Sequence, residues 1–376
     1  MKKSFFYAAM LAVAVAFVGC KDTQTPETDT TKLWPAMSGE LWGYIDANGK
    51  LAISPMYEYV NNFSCGYARV RLSGGDAPIF IDTKGKMQQA SFDSAGDFYY
   101  KYSRIEMNNL YGLMNTSFDF TCQPMYYYLG IMSENGLVSA KLTSKDKWGY
   151  VNAKGENMIP AMYDYAGTFE GGVAVVGIGS KCGAINTKGD YVIQPMYDDL
   201  EAVGHGMIAF VQNDKRGLMN AGGKVVVQPI YDKLGYLVDN DLIPACRNDK
   251  YGFINKSGDE KIAFVYDECS SFYEGYAVVS QNDVERVIDT KGNIVMTIPE
   301  GDEIVGAMHN GLALVRSYQD NGDAVYKYVN KDYKVVYQWI IEAYHPGWSA
   351  PAKKVSRQER LKNLVEETIH FDSRNL

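Results

Sequence analysis

The chain has 376 residues, 45 acidic against 37 basic side chains for a formal charge of −8, and 46% hydrophobic residues that include 29 tyrosines. This is long enough to bury a sizeable core, and the acidic balance excludes the basic footprint on which nucleic-acid binding depends. Beyond Cys20, five widely spaced cysteines at 65, 122, 182, 246 and 269, none in a C-x-x-C pair, suggest neither a zinc site nor a paired disulfide framework.

The chain begins as an export signal. Lys2 and Lys3 precede an apolar run of 14 residues from Phe5 to Val18, too short to span a bilayer. The following Phe17-Val18-Gly19-Cys20 resembles the lipobox of bacterial lipoproteins. Cleavage before Cys20 would leave residues 1–19 as the signal peptide and a mature chain of 376 − 19 = 357 residues with charge −10. The Cys20 thiol would take up a diacylglyceryl group, and two or three acyl chains anchor stably where one does not. Residues 20–32 are polar and read as the lipidated cysteine and a flexible tether. Lys21-Asp22 is similar to the charged export tags of surface lipoproteins in Bacteroidota. The expected location is thus the cell envelope, lipid-anchored at the outer membrane, with the periplasmic and the surface side both open.

From Trp42 onward an internal repeat dominates. Its element is aromatic-Gly-apolar-apolar-(Asp/Asn)-x-x-Gly, seen in Trp42-Gly43-Tyr-Ile-Asp46-Ala-Asn-Gly49, Trp148-Gly149-Tyr-Val-Asn152-Ala-Lys-Gly155 and Tyr251-Gly252-Phe-Ile-Asn255-Lys-Ser-Gly258. Variants carry Gly183 with Gly189 and Gly217 with Gly223, and weaker copies complete nine Asp/Asn anchors at 46, 82, 115, 152, 186, 220, 255, 289 and 330. A tyrosine follows the turn glycine by eight residues at Tyr57, Tyr163, Tyr197, Tyr231 and Tyr266, and an acidic residue follows each. The segment Gly-x-Ala-x-Val precedes several units, as at Gly172 to Val176.

At these residues the chain resembles the WG-repeat family of bacterial proteins, named for the Trp-Gly pair found here at 42–43 and 148–149, and the resemblance covers nearly all of 40–341. The units anchored at 82, 289 and 330 lack the glycine after the first position, and the last lacks the turn glycine as well. The resemblance implies all-β repeats in extracytoplasmic or surface proteins.

Within a unit, Gly172 to Ile178, Cys182 to Asn186 and Asp190 to Gln194 read as three strands, with Asn186-Thr-Lys-Gly189 as a type I turn closed by a left-handed residue. The Gln-Pro-x-Tyr-Asp stretch should end the third strand, because proline cannot donate to a ladder. Cys182 and Cys246 fall in strands as small buried hydrophobes. Three strands, about 34 residues and nine copies differ from the four-stranded blades of propellers. With no leading strand visible before Trp42, the expectation for residues 33–349 is an open, twisted tandem array, with a β-propeller-like closure as the alternative. Ser356-Arg-Gln-Glu359 has the form of a capping box, and Leu361, Leu364, Val365 and Ile369 share one helical face, so 350–376 should carry a capping helix.

No catalytic constellation stands out. The four histidines at 205, 309, 345 and 370 lack metal-ligand spacing, and no G-x-S-x-G marks a nucleophile. Gly177 to Gly183 occupies a hairpin slot rather than a phosphate loop. The expectation is no metal, no cofactor and no enzymatic activity. The recurring tyrosine–acid pairs are explained first by the fold, with tyrosine packing between repeats and the carboxylate capping amides of the next turn. Binding residues should instead vary between units: Tyr99, Tyr100, Tyr102, Tyr126, Tyr127 and Tyr128. Two functional classes follow. One is a membrane-anchored, non-catalytic scaffold for a protein or glycan partner. The other is an envelope enzyme or accessory subunit for glycan processing, using carboxylates as acid and base.

Overall fold

The computed structural model describes residues 32–343 apart from 76, 89, 90 and 239. The expected signal peptide, Cys20 with its tether and the C-terminal helix lie outside the described residues. Within them the chain forms 34 strands and no helix.

Unit 5 shows how the repeat sequence makes its structure. Four antiparallel strands, a to d, run Tyr165–Ala166, Val173–Ile178, Lys181–Asn186 and Tyr191–Tyr197. The c–d turn is fixed by its anchor: Asn186 Oδ1 accepts from the amides of Lys188 and Asp190 at 2.9 and 3.0 Å, and Gly189 closes it at φ 88°. The same pair of bonds recurs in all nine units, from Asp46 to Asn330. Where glycine is missing from the turn, Phe118 and Tyr333 adopt the left-handed conformation at φ 65° and 57°.

The glycine after the first repeat position answers to a bulge. In unit 5 the c–d register slips between Cys182↔Tyr197 and Ala184↔Ile193. This brings the d backbone down onto Gly183, where a Cβ would lie 2.5 Å from Ile193 O and 2.8 Å from Pro195 N. Gly43, Gly149, Gly217 and Gly252 face the same approach. Proline therefore does not end the strand as the sequence suggested. It sits inside strand d, at a bulge on a sheet edge where no amide is needed.

The bulge also turns the chain into the next unit. Behind it, strand d passes into strand a of the following sheet within two intervening residues, as from Tyr163 to Tyr165 and from Tyr231 to Lys233. The units anchored at 82 and 289 have Ile79 and Arg286 at the glycine position. Their d strands end at Gln88 and Thr297, and longer connections run to Ser94 and Asp302. The repeat is thus four-stranded rather than three-stranded, its fourth strand in units 4, 5, 7 and 8 being a two-residue continuation of the preceding one. This direct passage is why 34 residues suffice.

The open array is corrected to a closed, β-propeller-like ring of eight sheets carrying nine units. Seven sheets have four strands. The first has six, because Leu51–Val60 serves both as strand d of unit 1 and as strand a of unit 2. Nor does unit 1 lack the strand expected to be missing before Trp42: Trp34–Ser38 pairs with Leu41–Ile45 as its strand b. Among the described residues, what it lacks is strand a.

Closure is read from equivalent contacts. A Cβ on the turn glycine of one unit would meet strand d of the unit before it, as at Gly85 on Ile53, Gly189 on Ile159 and Gly258 on Val227. Gly49 of unit 1 is set in the same way against Val336 of unit 9. Trp34, Trp42, Leu312, Tyr326, Tyr328 and Trp339 share one buried core across this seam. Each junction has such an apolar layer, so the core is distributed around the ring.

Candidate functional site

The most regular polar side chains are engaged by the fold. Each repeat tyrosine lies opposite the first position of the repeat element, within strand c, in the pairs Trp42↔Tyr57, Trp148↔Tyr163, Cys182↔Tyr197, Arg216↔Tyr231 and Tyr251↔Tyr266. Tyr57, Tyr163, Tyr231 and Tyr266 are buried. The acid after the tyrosine reaches forward. Asp164 Oδ2 accepts from Gly179 N at 2.9 Å, Asp232 Oδ2 from Asn248 N at 3.0 Å and Asp267 Oδ2 from Asn282 N at 2.8 Å, each in the b–c hairpin of the next unit. Their other oxygens meet Lys147, Lys215 and Lys250. These hydrogen bonds hold the Asp164 and Asp232 carboxyls below the ordinary range. Cys246 is buried as expected, whereas Cys182 is half-buried.

The six tyrosines singled out by their irregular placement do not form one surface. Tyr126 is a repeat tyrosine: it is buried opposite Tyr111, and its hydroxyl donates to Gly155 O at 2.8 Å across the junction of units 3 and 4. Its place on a binding surface is therefore corrected. Tyr99 and Tyr102 pair across a two-residue turn made by Tyr100 and Lys101, both left-handed. With Tyr100 they pack against the core of unit 4. Tyr127 is 51% exposed, and Tyr128 pairs with Lys141 at the far end of strand b. Four residues of strand, about 13 Å at 3.3 Å per residue, separate that end from the a–b turn at Leu137.

Two features thus replace the single patch. The first is an aromatic stripe across units 3 and 4. The Tyr128 ring stands edge-on to Trp148 with centroids 4.9 Å apart, and 6.0 Å from Tyr111. The Arg104 guanidinium lies 5.0 Å from the Tyr111 centroid and 5.6 Å from that of Tyr128, and donates to Leu129 O at 2.8 Å. Lys141 Nζ is 5.5 Å from the Trp148 ring. All three rings are half-buried, so the stripe offers apolar faces flanked by cations. Sequence reading found Tyr128 but treated Trp148 as structural and missed both cations. The cross-strand register that assembles them has no local signature.

The second feature is a collar of a–b turns, where successive units touch closely. Gly171 abuts the backbone of His205 and Gly206, Gly172 N donates to Glu134 Oε1 at 3.2 Å, and Trp34 Nε1 donates to His309 O at 3.2 Å. Here burial pushes the Glu170 carboxyl up to about 7, assisted by the neighbouring Glu134 charge. Burial and both carboxylates raise the Tyr100 hydroxyl.

Comparison with known families gives one match, the WG containing repeat, at residues 42–75, 148–182, 183–215, 217–251 and 251–284. No curated protein matches in sequence. Among solved structures, the chain is similar to the dihydro-heme d1 dehydrogenase NirN at 10% identity and TM-score 0.41, over 70% of this chain and 71% of that one. It is similar to Hsv2p of Kluyveromyces lactis at 8% identity and TM-score 0.38, over 65% and 94%. A quinonprotein alcohol dehydrogenase-like protein of Bacteroides thetaiotaomicron gives 12% identity and TM-score 0.33, over 83% and 76%.

Proposed function

Because the chain is a WG-repeat protein, built as a closed ring whose recurring polar groups are engaged in its own turns, we propose that it is a non-catalytic binding scaffold of the cell envelope. Lipid on Cys20 tethers it to the outer membrane. The stripe of Tyr111, Tyr128 and Trp148, flanked by Arg104, Lys141 and the exposed Tyr127, receives the partner. The observation that carries this reading is the gathering of three rings and two cations in units 3 and 4, where units 7 and 9 set a single cation beside Tyr251 or Tyr326. The equivalent row of unit 5, Tyr165, Gly177, Cys182 and Tyr197, has no such cluster of rings and cations. Half-buried aromatic faces beside guanidinium and ammonium groups suit a protein or glycan segment that carries carboxylate or sulfate groups.

The test is binding of the soluble fragment from Thr31 to arrayed acidic glycans and to purified envelope proteins, compared with Tyr127→Ala/Lys141→Ala. Loss of binding in the variant supports the reading, and equal binding by both rejects it. Metabolic labelling with a radioactive fatty acid, lost in Cys20→Ser, tests the anchor. Protease shaving of intact cells tests surface exposure.

One observation favours a second reading, an envelope enzyme or accessory subunit for glycan processing. A carboxyl poised at about 7 beside a second carboxylate, as Glu170 is beside Glu134, has the character of a general acid. Glycan turnover abolished by Glu170→Gln would establish it.

A further inference from the structure

In an ordinary unit, strand a satisfies the outer edge of strand b with two amides. Gly167 N donates to Val175 O and Asp164 N to Gly177 O, both at 2.9 Å in unit 5. Gly235 N to Pro244 O at 2.7 Å and Asp232 N to Cys246 O at 2.8 Å do the same in unit 7. Ser270 N to Val278 O and Asp267 N to Ser280 O, both 2.8 Å, repeat it in unit 8.

Unit 1 has no strand a among the described residues. By register, the carbonyls left over are those of Pro35 and Met37, since Met37 faces Trp42 as Cys246 faces Tyr251. Both are nonetheless bonded. Tyr328 Oη donates to Pro35 O at 3.0 Å, and Tyr337 Oη donates to Met37 O at 2.8 Å. Both tyrosines belong to unit 9. Its strand d stays in step from Tyr337↔Tyr328 to Ile341↔Ala324, and no strand a follows it among the described residues.

We propose that Tyr328 and Tyr337 form the latch of the ring: two side-chain hydroxyls stand in for the two amides of the absent strand, and the junction of units 9 and 1 is where the ring opens. Every other junction is crossed by the continuous backbone, whereas among the described residues this one is held by side chains alone. The packing there is also incomplete. A crevice remains between Pro35 and Trp42 of unit 1 and Tyr326, Tyr328 and Trp339 of unit 9, and the buried indole N–H of Trp339 has no acceptor. The apolar second residue of strand a, Ala166 in unit 5 or Leu234 in unit 7, has no counterpart here among the described residues.

Hydrogen exchange on the full chain, read by peptide mass spectrometry, tests the latch. In Tyr328→Phe/Tyr337→Phe, peptides from 34–45 and 324–341 should exchange on the order of a hundredfold faster, about tenfold per hydroxyl, while units 4 to 6 stay within about twofold of the parent. Tryptophan emission should shift to the red, since Trp34, Trp42 and Trp339 all line the seam. If the double variant does not fold, each single variant is read in the same way, with about tenfold expected. Unchanged exchange at the seam, or equal acceleration in every unit, would overturn the proposal.

Discussion

At the scale of single residues, the repeat glycines do two different things, and substitution should separate them. Gly183 carries the bulged backbone of Ile193 and Pro195, so Gly183→Ala should cost about 2–4 kcal/mol by displacing main chain. Gly172, at φ 83° with nothing within 4 Å of an added Cβ, should cost only the left-handed penalty, about 1–2 kcal/mol. Urea unfolding of both variants checks the order. The tyrosine hydroxyls divide similarly. Tyr57 Oη is buried without a partner, so Tyr57→Phe should be neutral or stabilising by up to about 1 kcal/mol. Tyr126→Phe removes the bond to Gly155 O and should cost about 1 kcal/mol. Glu170 adds a pH dependence whose sign is fixed. Its carboxyl is raised from 4.5 to about 7 by burial and then by Glu134. The folded state therefore holds a proton that the unfolded chain releases, and the contribution is complete below pH 4.5 and is lost as pH rises through 7. The Tm of Glu170→Gln should vary less between pH 5 and 8 than that of the parent.

At the scale of the element, the bulge decides the path of the chain. Glycine at the second repeat position lets strand d press inward and bend into the following sheet, whereas at Arg286 and Lys327 the pairing stays in step with the next residue. Gly149→Arg, which imports the residue found at 286, should straighten Asn157–Tyr163 and release Tyr165–Ala166. Faster amide exchange at Ala166 and Gly167 is the expected readout, and unchanged exchange there would separate the glycine from the bend. Much of this element was legible in the sequence, because the Asn186 turn and the Trp148–Tyr163 pairing recur in phase. The two-residue strand was not, since a single residue, Asp164, separates Tyr165-Ala166 from strand d. The first b strand was also hidden, because Trp34-Pro-Ala-Met-Ser lacks the Gly-x-Ala-x-Val pattern that marks it elsewhere.

For the whole molecule, closure depends on pairs that no local pattern reveals. Tyr328 and Pro35 are 293 residues apart, and Tyr337 and Met37 are 300 apart. Counting strands and repeat lengths therefore pointed to an open array, although the nine units were already visible. The same holds for the candidate surface: Tyr127 and Tyr128 could be named in advance, but Arg104, Lys141 and Trp148 join them only through register. A photo-reactive benzoylphenylalanine in place of Asn48 tests closure most directly, because the turn it occupies lies against Val336. The closed ring predicts an intramolecular, concentration-independent cross-link from position 48 to the peptide containing Val335–Ile341, as efficient as that from the equivalent Lys188 to Asn157–Tyr163. Efficient capture from position 188 with none within the chain from position 48 would contradict it.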